Sequence, residues 1–320
     1  MALINKKISV IVPCRNEEAN ILPLYERLVS VLSKITTWWE IIYTDNGSTD
    51  NSEKIFRDLA QKDSRISVIF FSRNFGTSDH GYTAGSEQAL GDAIIWIDGD
   101  IQDPPELIEE FVKKWQEGYE VVYGIRKKRG GSFPKRLGYK FFYKIFRKLS
   151  YIDIPRDAGD FSLVDRKVIN VINSMPERDR FVRGLRAWAG FRSTGIDYER
   201  AERKKGSAKT NYWSYFRSAK KGIFSFSYLP LEIVSLLALL VTFLSVLAIL
   251  FYFGWYLISP NAPSGYMTLL MIILFLGSIQ LLSISIIGEY LGKIFEEVKR
   301  RPKYIVREVL NDHRQTENNN

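Results

Sequence analysis

The segment Asp98-Gly99-Asp100-Ile101-Gln102-Asp103 sets two carboxylates two residues apart, with an amide oxygen two residues further on. Oxygen donors at that spacing on one loop can converge on a hard divalent cation. Aspartate and glycine also form ordinary turns, so the spacing alone fits a plain turn equally well. Two other stretches have the same character. Pro13-Cys14-Arg15-Asn16-Glu17-Glu18 and Thr44-Asp45-Asn46-Gly47-Ser48-Thr49-Asp50 gather acids and amides directly after apolar runs. Asp50 or Asn51 in addition suits the cap of a following helix. Positive charge is concentrated later in the chain. Arg126–Lys148 holds ten Lys or Arg and no acid, and Arg200–Lys221 holds eight against Glu202 alone.

Those acids must be presented by something, and the first 124 residues alternate strand and helix patterns. Ile8–Pro13, Glu40–Thr44, Ser67–Ser72, Ala93–Asp98 and Glu120–Gly124 are short, apolar, β-branched runs. Such runs read as strands of a sheet covered on both faces. Helical patterns fill the gaps at Asn20–Lys34, Asn51–Lys62, Ser78–Leu90 and Pro105–Trp115, with Pro105 suited to a first turn. The alternation predicts an open, doubly wound, mostly parallel α/β sheet whose ligands sit at the carboxyl ends of its strands. All three acidic loops fall on that edge. Position, rather than spacing, makes Asp98 and Asp100 candidates for chemistry.

The remainder of the 320 residues is organised differently. Ile233–Ile258 and Tyr266–Ile287 carry no charge over 26 and 22 residues. Each exceeds the roughly 20 residues a helix needs to cross a bilayer. Two transmembrane helices are therefore predicted within 229–290, between a large domain over 1–228 and a C-terminal tail over 291–320. Lys220 and Lys221 precede the first apolar run, Lys293, Lys299, Arg300, Arg301 and Lys303 follow the second, and Ser259–Gly265 between them is uncharged. Positive flanks belong inside, which puts the domain and both termini on the cytoplasmic side. The polar tail after Leu310 reads as disordered.

The net charge of +9 is compatible with nucleic acid, anionic lipid or phosphate-bearing partners. The basic blocks are interleaved with aromatics (Phe141, Phe142, Tyr143, Phe146; Tyr212, Trp213, Tyr215, Phe216), and the second runs into an apolar span. Adjacency to the span selects membrane lipid over nucleic acid and predicts interfacial helices over about 134–149 and 211–227. The single cysteine, Cys14, excludes an intramolecular disulfide, and no apolar leader follows Met1. His80 and His313, the only histidines, read as surface residues, and Gln280 reads as a helix–helix contact.

Six motifs in order make the resemblance specific. Pro13-x-x-Asn16-Glu17, Asp45-Asn46-Gly47-Ser48-Thr49-Asp50, Arg73-Asn74-Phe75-Gly76, Asp98-Gly99-Asp100-Ile101-Gln102-Asp103-Pro104-Pro105-Glu106, Gly124-x-Arg126 and Asp157-x-Gly159-Asp160-Phe161 resemble the polyprenyl-phosphate glycosyltransferases of glycosyltransferase family 2. That group includes dolichyl-phosphate mannose synthase and the bacterial polyisoprenyl-phosphate glucosyltransferases of the O-antigen-modifying type. The two-span tail is similar to the bacterial branch, which implies the inner membrane and cell-envelope polysaccharide. The match covers about residues 8–230. Two positions depart from the family pattern: Asn46 replaces a usual aspartate, and Asp79-His80 replaces an apolar pair.

The resemblance implies a GT-A fold, a nucleotide-sugar donor, Mg²⁺ or Mn²⁺, and a lipid-phosphate acceptor. Carried over by position, Pro13, Arg15, Glu17 and Asp45 hold base and ribose, while Asp98, Asp100 and Gln102 hold the metal on the diphosphate. Arg203 and Lys209 close on the donor from a loop at Gly206–Thr210. Arg126, Arg136 and Lys140 are candidates for the acceptor phosphate. Asp157 positions that phosphate or takes its proton, or else balances Arg156 and Arg166; Asp160 is a weaker candidate for the same work. The leading expectation is inverting transfer of a hexose, glucose from UDP-glucose, to polyprenyl phosphate at the cytoplasmic face, by a protein that also suits homo-oligomerisation. Mannose or amino-arabinose transfer is an alternative. A processive polysaccharide synthase is another, although Arg183-Gly184-Leu185-Arg186-Ala187-Trp188 only approximates its Gln-x-x-Arg-Trp motif. The non-enzymatic rival is a membrane scaffold that keeps the fold and not the chemistry.

Overall fold

A computed structural model describes residues 3–126, 158–178, 180–200, 229–258 and 265–314. The chain divides into an α/β unit and a helical unit. The α/β unit is built on one eight-stranded sheet. Its strands are β1 (Ile8–Cys14), β2 (Trp39–Asp45), β3 (Ile66–Phe71), β4 (Ala93–Trp96), β5 (Val121–Arg126), β6 (Ala158–Asp165), β7 (Ser193–Tyr198) and β8 (Val306–Leu310), in the spatial order β7-β5-β6-β4-β1-β2-β3-β8. The β1–β2, β1–β4, β2–β3 and β5–β7 pairs are parallel. The β4–β6, β5–β6 and β3–β8 pairs are antiparallel. The sheet is thus mostly parallel, as expected, but β6, β7 and β8 are strands that periodicity did not reveal.

Helices α1 (Ile21–Ile35), α2 (Ser52–Lys62), α3 (Ser78–Gln88), α4 (Ile108–Gln116), α5 (Arg166–Ser174) and α6 (Val182–Trp188) cover the sheet, with a 3₁₀ turn at Pro105–Leu107. Ile21, Leu24, Leu28, Val31, Leu32 and Ile35 recur at helical spacing on α1 and share one core with Ile8, Val10, Val12, Ile41 and Tyr43. The opposite face receives α3. A Cβ at Gly85 would lie 2.3 Å from Ile11 Cγ2, so only glycine lets α3 press this closely on β1.

At the amino ends of the strands a buried polar lock ties distant segments. Glu40, 1% exposed, accepts from Ser9 Oγ at 2.6 Å, from the Leu90 N–H at 2.7 Å and from the His313 ring at 2.9 Å. Burial alone raises that carboxyl, but the bonds from His313, Ser9 and Leu90, with Lys7 nearby, bring it down to about 2. The tail after Leu310, expected to be disordered, begins packed against the sheet. Arg57 forks onto Glu308 at 3.0 and 2.5 Å, Tyr304 stacks on Phe71 at 5.0 Å, and Asn311 donates to the Ala60 and Ile66 carbonyls. Asn311 and His313 are therefore docked, and His313 is half-buried with its ring bonded to Glu40. His80 is half-buried on α3. Residues 315–320 lie outside the described residues.

The helical unit consists of α7 (Leu229–Ile258) and α8 (Tyr266–Val298). Apolar side chains stand open along both, with Leu236 72% and Leu281 71% exposed, and Gln280 is exposed as well. Among the described residues one stretch, Phe275–Val298, is long and apolar enough to cross a bilayer. The apolar stretch Val234–Ala248 of α7 is shorter, so among the described residues one of the two expected spans has the length and composition to cross a bilayer. The interfacial helices expected over 134–149 and 211–227 lie outside the described residues.

Candidate active site

Two loops at the carboxyl edge are laced together before any ligand is considered. Asn16 sits at φ +57°, a conformation asparagine tolerates, and its Oδ1 accepts from the Thr49 N–H at 2.8 Å. Its own N–H donates to Ser48 Oγ at 2.9 Å, and the Asn51 N–H donates to Glu18 Oε2 at 2.9 Å. Asn51 is the helix cap by position, while Asp50 Oδ1 takes the Ser52 N–H at 3.0 Å. Asp45 ends β2 with its carboxylate turned to Ser48; burial raises its pKa, and the Ser48 bonds oppose the rise. Pro13, half-buried, and Glu17 line the neighbouring loop, with Arg15 exposed.

Asn46 explains its own departure from the family pattern. Its Oδ1 accepts from the Phe75 N–H at 2.8 Å and its Nδ2 donates to the Gly76 carbonyl at 3.3 Å. The side-chain amide accepts through Oδ1 and donates through Nδ2, so Asn46 pins the β3–α3 loop with both bonds, where an ionised aspartate can only accept. Gly47 is held at φ +66° against that loop, and a Cβ there would meet the Arg73 backbone at 2.7 Å.

Asp98 and Asp100 follow β4, as predicted. Ile101 next to them adopts φ +56°, which a β-branched residue occupies only under strain. Asp100 Oδ2 lies 3.5 Å and Asp98 Oδ2 3.7 Å from one atom, Nη2 of Arg200. The other Asp98 oxygen accepts from the Tyr82 hydroxyl at 2.8 Å. Burial raises the Asp98 carboxyl to about 7, with the charges of Asp160, Asp103 and Asp100 adding to it. Arg200, with Nη2 at 3.7 Å, does not cancel that rise.

Asp103, 0% exposed, anchors the cluster from behind. Its Oδ1 accepts from Tyr198 Oη at 2.5 Å and Arg200 Nε at 3.1 Å. Among the described residues its Oδ2 has no hydrogen-bond partner, and it lies 3.7 Å from Arg126 Nη2. Arg126 donates Nε to Tyr198 at 3.2 Å, so the residue expected at the acceptor is already engaged in the cluster wall. Asp160 is held by Arg183 through two bonds of 2.5 and 2.6 Å. Burial would raise its carboxyl, but Arg183, then Arg186 and Arg126, bring it below the ordinary range. Asp160 is thus paired with Arg183 in the wall of the cluster. The helix α6 that resembled a polysaccharide-synthase motif supplies Arg183 and Arg186 to this wall, while Trp188 is exposed. Cys14 is buried, and burial with Glu17, Asp45, Asp98 and Asp100 around it raises the thiol far up, so it stays neutral.

The cluster fits a divalent cation in its chemistry: two carboxylate oxygens converge on one positive atom, and Asp98 is under-compensated. Gln102 donates its N–H to Asp100 Oδ1 at 3.2 Å. Among the described residues, no group of three His, Cys, Asp or Glu side chains is close enough to enclose a metal by itself. Arg136, Lys140, Asp157, Arg203 and Lys209 lie outside the described residues. The residues that sequence reading passed over are Tyr82, Asp103, Tyr198 and Arg200. Asp103 stood inside a quoted motif, and Arg200 opened the second basic block; neither position revealed its partner.

The glycosyl transferase family 2 model matches residues 9–172. The chain is 43% identical over 304 residues to an uncharacterized glycosyltransferase of Synechocystis, covering 95% of each chain. It is 39% identical to the prophage bactoprenol glucosyl transferase homolog of Escherichia coli, covering 95% of this chain and 99% of that one. The bactoprenol glucosyl transferase of Shigella phage SfV is also 39% identical, over 94% and 98%. Solved structures are more distant. Mycobacterium tuberculosis glucosyl-3-phosphoglycerate synthase with Mn²⁺ and UDP matches at 16% identity and TM-score 0.47, covering 69% and 77%. Staphylococcus aureus TarS 1-349 with UDP matches at 17% and 0.44, the chain spanning 64% of it.

Proposed function

The chain belongs to glycosyl transferase family 2, and from that premise we propose that it moves glucose from UDP-glucose to a polyprenyl phosphate, with inversion at the sugar carbon. Identity of 39% across nearly the whole length of bactoprenol glucosyl transferases supports sugar and acceptor. The single observation that carries the chemistry is the convergence of Asp98 and Asp100 on one cationic atom at the edge where a doubly wound sheet takes its ligands.

In this reading the unit is a GT-A catalytic domain. Asp45 and Glu17 engage ribose and base beside Pro13 and Arg15. Asp98 and Asp100, with Gln102, would hold Mg²⁺ or Mn²⁺. A bound dication supplies charge stabilisation to the departing diphosphate. Arg203 and Lys209 close on that diphosphate, and Arg136 and Lys140, with Arg126, receive the acceptor. A phosphate monoester has a second pKa of about 6, so the acceptor is already an oxyanion at pH 7 and needs little help from a base. Asp157 then serves to position it. The work left to the protein is holding two anions together, which explains the density of guanidinium groups around the cluster. The domain acts at the cytoplasmic membrane face, with α7 and α8 as its anchor.

Incubation of the detergent-solubilised protein with UDP-glucose, undecaprenyl phosphate and Mn²⁺ should yield undecaprenyl-phosphoglucose by mass. GDP-mannose should yield none. Absence of product with UDP-glucose, or full product in excess chelator, overturns the reading.

A further inference from the structure

Arg200 occupies an unexpected place. Its Nε is fixed on buried Asp103 Oδ1 at 3.1 Å, whereas its Nη2 only approaches Asp100 at 3.5 Å and Asp98 at 3.7 Å. The guanidinium is anchored at one end and loosely held at the other. The oxygens it approaches are those that would hold the divalent cation. We propose that Arg200 is the resident counter-cation of the carboxylate cluster, and that it swings off Asp98 and Asp100, pivoting on Asp103, when the metal enters. The inference rests on the metal assignment made above.

Charge decides the rest. Four carboxylates (Asp98, Asp100, Asp103, Asp160) face four guanidinium groups (Arg126, Arg183, Arg186, Arg200) among the described residues. A dication entering this cluster must share oxygens with a positive group already beside them. Like charges a few ångströms apart in a partly buried site repel strongly. Once displaced, the Arg200 fork is free for an anion, and the anion that arrives with the metal is the donor diphosphate. Metal and nucleotide therefore bind cooperatively: each weakly alone, and tightly together. Asp103, buried and held by Tyr198, is the fixed pivot.

The test is calorimetric titration of Mn²⁺ into the full-length protein in detergent, with and without UDP, for wild type, R200Q and R200K. R200Q should bind Mn²⁺ without UDP roughly tenfold tighter than wild type, since a competing charge is gone. UDP should improve Mn²⁺ affinity much less in R200Q than in wild type. R200K, which keeps the charge but loses the Nε anchor, should fall between, and it stands in if R200Q does not fold. A thermal melt in chelator should show R200Q destabilised and restored by Mn²⁺. If wild type binds Mn²⁺ and both variants bind it no tighter, Arg200 does not compete and the proposal fails. If wild type binds no Mn²⁺ even with UDP, the metal assignment itself fails, and this inference with it.

Discussion

The Tyr82 hydroxyl donates to Asp98 Oδ1 at 2.8 Å from a fully buried position on α3, so one carboxylate oxygen is fixed and the other faces Arg200. Tyr82→Phe should leave that oxygen unsatisfied, at about 1–3 kcal/mol of stability. It should also raise an Asp98 carboxyl already near 7, because the bond that lowered it is gone. Apparent Mn²⁺ affinity falls as protons compete below that pH, and in the variant the midpoint of the fall should move upward. Titration of Mn²⁺ between pH 6 and 8.5 measures the midpoint; an unmoved value refutes the role of the bond.

Asp98→Asn and Asp100→Asn should each reduce transfer more than a hundredfold, the scale of losing a preorganised electrostatic contact. Folding should survive, since each swap keeps volume and removes a charge from a crowded cluster. In chelator, Asp98→Asn should melt at or above the wild-type temperature. A lower melting point would show that burial and the neighbouring carboxylates do not disfavour the charge on Asp98.

Asn46→Asp restores the family's usual residue and should nonetheless weaken this protein. The Gly76 carbonyl loses its donor and a second charge appears beside Asp45, at about 1–3 kcal/mol. Thermal melting and the KM for UDP-glucose report it together. Gain of stability would mean that the β3–α3 loop does not depend on the amide.

His313 and Glu40 make docking of the C-terminal segment pH-dependent. The Glu40 bond and the Ser64 carbonyl raise His313 above its ordinary 6.5, although burial opposes them. Its contribution is complete below 6.5 and is lost as pH rises through the raised value. Glu40, lowered from 4.5 to about 2, contributes above 4.5 and is lost only as pH falls toward 2. Docking should hold best between about pH 4.5 and 6.5 and loosen toward pH 9. Hydrogen exchange of Val306–Leu310 at pH 6 and 9 reads this out, and His313→Ala should flatten the difference.

Removing everything from Ile233 onward takes β8 from the sheet as well as the helical unit. The β3 edge, Ile-Ser-Val-Ile-Phe-Phe, is then bare and apolar. Such an edge invites pairing between chains. The truncated protein should aggregate, whereas a version that rejoins the segment from Pro302 should remain monodisperse in size-exclusion chromatography. Equal behaviour of the two would show β8 to be dispensable.

The first five strands and four helices were legible because their apolar periodicity is strong, and the acidic loops followed from strand direction. β7, Ser-Thr-Gly-Ile-Asp-Tyr, and β8, Val-Arg-Glu-Val-Leu, were not, since edge strands bury little and carry polar residues. Tyr198 and Arg200 were missed for the same reason: without β7 nothing places them beside Asp103. The pairing of His313 with Glu40 spans 273 positions, and no local pattern encodes such a distance.

The attachment of β8 to β3 also has a consequence in time. Ser67 waits for the carbonyl of Leu310, 243 residues downstream. At a synthesis rate of about 5–20 residues per second, that is roughly 10–50 s during which the nascent sheet has an open side. Within that interval the ribosome makes both long apolar helices. The sheet that heads the chain is therefore completed last, after both long apolar helices have been synthesised, and any factor that shields β3 must act on the growing polypeptide.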